Sequence, residues 1–249
     1  MAFRRFTAVL AAVALFAASA TPSHALDVSP MVAKLTPTGS GSSYRLTVRN
    51  TSATPATVEI EVYRMRVDET GARSLTPDDE AMAVFPVQSV IPPNRDQIVQ
   101  VRYVGEPGGD SGGEPAMYLV RVGQLPIVMQ TTAADGGAGA DVKVAFTINT
   151  YVFVAPATAR ASVEVTGLTR APNGDILLAT RNPGTGFAHL REARFTLTGA
   201  DGRAHEVPAA DVDVGEVSVL AGGATRQIRI PAALAAGVSG DVTAAIALL

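Results

Sequence analysis

The chain contains no cysteine and no tryptophan, and only three histidines in 249 residues. Without cysteine there is no disulfide, no thiol nucleophile, no Cys-based zinc site and no iron–sulfur cluster. Without tryptophan, the Cys–Trp–Cys pattern of antibody-type domains is missing. Long apolar runs are also scarce. The run Thr7 to Ala20 is about 14 residues, shorter than the roughly 20 that span a bilayer. Arg4 and Arg5 precede it, and Ser23-His24-Ala25 puts small residues where signal peptidase reads. Residues 1–25 therefore read as an export signal cut after Ala25, with no membrane insertion by the remainder.

The formal net charge is −3, and loss of Arg4 and Arg5 takes it to −5. Lysine and arginine are scattered, so the chain shows no electrostatic footprint for nucleic acid or an anionic membrane. An exported chain without disulfides relies on core burial alone. Leu26 to Leu249 is long enough for two sandwiches of about 100 residues each.

No catalytic constellation is visible. His189 and His205 have no metal-ligand spacing with each other or with a carboxylate on a helix. There is no Gly-x-Ser-x-Gly elbow and no phosphate-cradling loop. The Gly-rich stretch Gly105 to Gly113 lacks a following Lys-Ser/Thr and reads as a flexible hairpin loop. Asp78, Asp79 and Glu80 could offer oxygen ligands to calcium, but they lack the spacing and glycine of a calcium loop and read as solvated. The expectation is a non-enzyme with no metal and no cofactor.

Strand signals dominate. Tyr44–Arg49, Thr57–Val67, Gln97–Tyr103, Met117–Val122 and Asp141–Val154 alternate apolar and polar residues, which sends successive side chains to opposite faces of a sheet. Ala161–Gly167, Asp175–Arg181, Ala193–Thr198, Glu216–Leu220, Thr225–Ile230 and Asp241–Leu248 continue the style. Turn residues at Pro37-Thr38-Gly39, Asp68 to Gly71, Pro92-Pro93-Asn94, Asn173-Gly174 and Asp201-Gly202 separate them. Many short strands without helical periodicity predict an all-β fold of sandwich or barrel type. Pro156 cannot donate to a ladder, so the domain boundary is expected after Ala155, giving domains 26–155 and 156–249. Thr131 to Ala140 is rich in Gly and Ala and reads as a structureless loop leading into the longest strand.

That strand, Asp141 to Val154, carries Val142, Val144, Phe146 and Ile148 on one face. An ordinary strand would turn this row into its own core. A donor strand would lend the row, and its unpaired backbone, to a partner's sheet.

The order of motifs along the chain resembles the periplasmic chaperones of chaperone–usher pili. Phe85 to Pro93 is similar to the family's approach to a proline-containing turn, Gln97 to Val101 to the strand after it, and Glu114 to Pro126 to its acidic residue, aromatic strand and Leu-Pro. A variable loop, an alternating strand and Pro156 follow in family order. Leu177 to Asn182 and Val219 to Arg226 resemble a strand ending in Asn and a late Gly turn. The resemblance covers essentially all of Leu26 to Leu249. It implies two immunoglobulin-like β-sandwich domains with a cleft between them, and donor-strand complementation of pilus subunits that pass to an outer-membrane usher. Burying a large side chain contributes about 1.5–3 kcal/mol, so a row of four gives roughly 6–12 kcal/mol before ordering costs.

The resemblance also implies a cationic site for the subunit's C-terminal carboxylate, and here the chain departs. The family's lysine position falls on Tyr151. Its first-strand arginine falls near Val32, with Lys34 the nearest cation, and its later arginine falls on Gln100, two residues from Arg102. A tyrosine hydroxyl donates a hydrogen bond but no charge. The expectation is that Lys34 or Arg102 supplies the charge beside Tyr151, the alternative being a subunit anchored in a different way. The alternatives are a pilus or surface subunit with immunoglobulin-like domains, which would show an N-terminal donor extension and one incomplete domain, and a periplasmic hydrolase, which the lack of a nucleophile–base set disfavours.

Overall fold

A computed structural model describes residues 26–105, 115–125 and 146–249. The expected export signal, most of the Gly105 to Gly113 loop, the Thr131 to Ala140 loop, and Val142 and Val144 lie outside the described residues. The described chain forms eighteen strands and a few short 3₁₀ turns. None of its helices is long and apolar enough to cross a membrane.

The first sandwich is built from β1 (Leu26–Ser29), β2 (Val32–Leu35), β3 (Ser43–Asn50), β4 (Ala56–Val67), β5 (Arg73–Pro77), β6 (Met82–Phe85), β7 (Gln88–Ile91), β8 (Asp96–Tyr103), β9 (Ala116–Leu125) and β10 (Thr147–Val154). One sheet runs β1-β3-β8-β6. The other runs β2-β10-β9-β4-β5, with β7 also pairing β4. The chain thus changes sheets between β1 and β2, across the cis Ser29–Pro30 bond. Period-2 alternation decides which side chains meet between the sheets. Val58, Ile60 and Val62 of β4, Tyr118, Val120 and Val122 of β9, and Val152 and Val154 of β10 face Leu46, Val48, Val99 and Val101 of the opposite sheet. The other parity of β4, β9 and β10 forms an outer row, and part of that row is also buried: Met65, Met117 and Phe153 pack with Val219 of the second half.

The second half holds β11 (Glu164–Arg170), β12 (Ile176–Arg181), β13 (Ala188–His189), β14 (Ala193–Thr198), β15 (Ala204–Val207), β16 (Val219–Leu220), β17 (Thr225–Ile230) and β18 (Thr243–Leu248). Its ladders run β11-β12-β17, β13-β16 and β15-β14-β18. Their core gathers Ile176, Leu178, Leu190, Phe195, Leu197, Leu220, Ile228 and Ile230. The all-β, two-sandwich expectation holds.

Local differences from the sequence reading have physical reasons. β11 begins at Glu164, three residues later than the alternation from Ala161 suggests, because Arg160 is tied to the 182–186 loop through its carbonyl, which accepts from the Thr185 and Gly186 N–H groups. β16 is only two residues, because the Val217 N–H is turned to Gly71 O of the first sandwich instead of to a ladder of its own half. At Asn173-Gly174 only Gly174 takes positive φ, at 89°. Asn173 instead uses its side chain, donating to Asp175 at 2.9 Å, so the turn is longer than a two-residue hairpin.

Each sandwich has a buried asparagine at the end of an early strand, Asn50 closing β3 and Asn182 directly following β12. Asn50 donates to Thr54 O at 2.8 Å and Ile91 O at 3.0 Å, and accepts from Ser52 N at 2.9 Å. Asn182 is fully buried. Its amide donates to Gly186 O and Leu220 O, both at 3.0 Å, and accepts from Gly184 N at 3.0 Å and Ser162 N at 3.1 Å. All its hydrogen-bonding positions are used, which explains why the strand ends in this residue and not in an aliphatic one. Asn182→Ala leaves these backbone groups buried without partners, and the expected cost is about 3 kcal/mol. Urea unfolding followed by circular dichroism measures it. A loss below about 1 kcal/mol contradicts the role given to Asn182.

Candidate functional site

β10 is paired unequally on its two edges. Against β9 it is antiparallel along its full length, from Thr147 opposite Gly123 to Val154 opposite Ala116. Against β2 it is parallel over Tyr151 to Val154 only, opposite Val32 to Leu35. The Tyr151 N–H donates to Met31 O at 2.9 Å, closing the last turn of this pairing. Among the described residues, Thr147 to Thr150 therefore have a strand on one edge only. Such an edge presents unpaired N–H and C=O groups to whatever strand arrives.

The described part of the predicted row, Phe146 and Ile148, lies on the face of β10 that looks between the sheets. Ile148 shares parity with Thr150, Val152 and Val154 and packs against the first core while remaining half exposed. Phe146 shares that parity but is 39% exposed, just beyond the core's edge. Met31 and Val32, at the mouth of the open edge, are also exposed. The row thus leaves this chain's own core by degrees.

The opposite parity of β10 points into a cleft of about 650 Å³ between the sandwiches. Val32, Lys34, Met65, Arg73, Tyr151 and Phe153 come from the first sandwich, and His189, Glu192 and Glu216 to Val219 from the second. The two positions that the resemblance assigns to cations, Val32 and Tyr151, are direct partners in the β2–β10 ladder. Lys34 faces the same cleft two residues on. Arg102 does not. It lies on β8, opposite Ser43 and Ala83, in the other sheet, exposed and on the same face as Gln100. Strand alternation correctly keeps Arg102 and Gln100 together, but both are remote from Tyr151.

The cation beside Tyr151 is Arg73, which sequence reasoning missed. Its Nη1 donates to the Tyr151 hydroxyl at 3.0 Å, and its Nε lies 2.7 Å from Glu216 Oε1 of the second sandwich. Arg73 is the first residue of β5, just beyond the Asp68 to Gly71 turn. Its arrival at Tyr151 depends on the sheet order β10-β9-β4-β5, a long-range property with no local signature. The only usable signal was the turn itself, which fixes Arg73 opposite Val67 across a tight hairpin.

That hairpin tip is clamped to the second sandwich. Val217 N–H donates to Gly71 O at 3.0 Å, and Gln227 N–H donates to Glu69 O at 2.7 Å. Gly71 and Gly215 have φ of 85° and 86° and touch each other, so a Cβ on Gly71 would stand 2.7 Å from Gly215 Cα. Behind them Arg226 is almost fully buried. Its Nη1 donates to Val214 O and Val217 O, each at 2.6 Å, and its Nη2 donates to Val219 O at 3.3 Å. Burial pushes this guanidinium below its ordinary value, against the pull of the Asp68 carboxylate. The group is still a cation at any working pH. The segment carrying Glu216 is thereby fixed on both sides.

No family model and no curated protein matches the chain. Solved structures do match it. The class 5 fimbriae chaperone CfaA aligns with a TM-score of 0.56 at 12% identity, over 81% of this chain and 84% of that one. The E. coli chaperone DraB gives 0.52 at 19% identity, over 88% and 89%. A chain of the Salmonella enterica SafA pilin complex with the SafB chaperone gives 0.53 at 14% identity, over 91% of each. At these identities the likeness is one of fold: two immunoglobulin-like β-sandwiches, as in the fimbrial chaperones.

The graded burial along β10 has a measurable consequence. Ile148→Ala is expected to destabilise the free protein by about 1–2 kcal/mol, and Phe146→Ala by less than about 0.5 kcal/mol. Thermal and urea unfolding of the two variants compare them. Equal losses mean that both side chains serve this chain's own core.

Proposed function

We propose that this chain is a non-enzymatic assembly chaperone of the periplasm, reached after cleavage behind Ala25, that captures pilus subunits by donor-strand complementation and passes them to an outer-membrane usher. A sandwich of residues 26–155 supplies the donor strand, and one of residues 156–249 forms the far wall of the cleft. The observation that carries this reading is the half-open edge of β10. An incoming strand that pairs with Thr147 to Thr150 and the residues before them continues the sheet where β2 stops. Its hydrogen bonds are main-chain and need no nucleotide or cofactor.

The side chains support the same reading. Thr150, Val152 and Val154 line this chain's own core, and Ile148 and Phe146 extend the same face in the N-terminal direction; Val142 and Val144 share their parity in the sequence. One strand then serves two cores, its own toward the C-terminal end and a subunit's toward the other. The cleft where β10 becomes fully paired offers Arg73, Lys34 and the Tyr151 hydroxyl to a carboxylate. We assign the anchor to this trio, with Arg73 added in the part that the sequence reading gave to Lys34 or Arg102. Charge-assisted bonds from a guanidinium are roughly twice as strong as neutral ones, so Arg73 makes good a tyrosine at the lysine position.

Cross-linking in periplasmic extract tests the function. A chaperone yields one small subunit in equal amount, whereas a structural subunit yields ladders. Phe146→Asp is expected to weaken capture on the order of a hundredfold or more, because it removes a buried ring and puts a carboxylate in an apolar groove. Its circular dichroism should match the wild type. Loss of fold with loss of capture assigns Phe146 to the chain's own core, and undiminished capture removes the donor strand from the mechanism.

A further inference from the structure

We propose that in the free protein Glu216 occupies the place on Arg73 that a subunit's terminal carboxylate takes, so that capture is an exchange of one carboxylate for another. This rests on the anchor assignment above and adds its regulation: the second sandwich carries a resident competitor for the site.

The geometry of Arg73 leads there. Its two contacts are a hydrogen bond from Nη1 to the Tyr151 hydroxyl at 3.0 Å and an ion pair in which Nε lies 2.7 Å from Glu216 Oε1. A guanidinium receives a carboxylate most favourably on two parallel N–H groups. Glu216 holds one end of the Nε–Nη2 edge with a single oxygen, while Nη2 makes no bond among the described residues. The Tyr151 hydroxyl accepts from Arg73, and its own proton has no acceptor among them. Lys34, exposed in the same cleft, forms no ion pair among them either. A second carboxylate can use all three donors, which Glu216 does not.

Glu216 is built to let go without moving its backbone. Its neighbours are fixed: Val217 N–H is held by Gly71 O, Gly215 N–H donates to Asp213 Oδ1 at 3.1 Å, and Arg226 holds Val214 O and Val217 O. Only the side chain is free to turn. It is 51% exposed and Arg73 is 31% exposed, so rotation carries the carboxylate into water. An ion pair this exposed is weak enough to be exchanged. While it lasts, it covers the charge of Arg73 and sets two acids, Glu192 and Glu216, against two cations, Lys34 and Arg73. A third carboxylate entering with Glu216 still in place would meet an acidic excess. Displacing Glu216 from Arg73 relieves it.

The test uses the full exported chain and a fluorescent strand-forming peptide of about ten alternating valines and threonines, prepared with a free C-terminal carboxylate and as its amide. Anisotropy gives the acid-over-amide preference for wild type, Arg73→Ala, Glu216→Gln and Glu216→Asp, with unfolding midpoints checked for each. The expected result is a preference in wild type that Arg73→Ala abolishes. Both Glu216 variants should raise it about fivefold, since Gln removes the charge and Asp withdraws it from reach. A preference that depends on Arg73 but is unmoved by Glu216→Gln overturns the exchange and leaves the anchor standing. A gain with Gln and none with Asp also overturns it, because the effect is then general charge and not occupancy. No preference in any protein removes the anchor itself.

Discussion

The fold turns on how far β2 runs beside β10. The first strand of the sandwich is divided between two sheets, with Leu26–Ser29 on β3 and Val32–Leu35 on β10. A chain segment that short can cover only half of an eight-residue partner. Among the described residues, Thr147 to Thr150 are left as a sheet edge backed by a finished core. An open edge is normally blunted by charge, proline or a bulge. Here Thr147, Asn149 and Thr150 supply short polar side chains and no charge. The edge is therefore compatible with a second strand and is not defended against one.

The same residue that ends the β2 pairing begins the cleft. Tyr151 is the first β10 residue opposite β2, and its hydroxyl reaches Arg73. A guest strand held by its end in the cleft and by its backbone along the edge would have its register fixed at one point. Because side chains alternate, a slip of one residue would turn every guest side chain to the wrong face. In the proposed complex, adjacency of anchor and edge would thus act on specificity more than on binding strength.

Much of this was legible in the sequence because it is local. Alternation located β3, β4, β8, β12, β14, β17 and β18 to within a residue or two, and β9 at its start but three residues short at its end, and Pro156 marked the end of the β10 ladder. Short edge elements such as β5, β7 and β15 carry too few alternating residues to stand out. The site was half legible. Lys34 and Tyr151 were found because they sit on the elements that define the cleft. Arg102 was chosen by proximity in sequence to Gln100, and strand parity held, but parity says nothing about which of two sheets a strand joins. Arg73 was missed for the converse reason. It is three strands from Tyr151 in the sheet and reaches it only because Met65, Met117 and Phe153 form a floor under the second sandwich.

That floor makes the site conditional on the docking of the two halves. Arg73 lies two residues from Gly71, whose carbonyl takes the Val217 N–H, and Val217 is held in turn by Arg226. Among the described residues the buried Arg226 has no carboxylate within bonding distance; three carbonyls accept from its Nη1 and Nη2 instead, while its Nε is buried without a partner. Their partial charges come from peptide groups fixed in place, so these three bonds form only when residues 214–219 hold this one shape. Removing it would leave those carbonyls buried and unpaired, a heavier penalty than the loss of the bonds themselves. The guanidinium that stiffens the far wall and the guanidinium that faces the cleft are therefore linked through one hairpin tip, where two glycines with positive φ meet at contact distance and leave no room for a side chain.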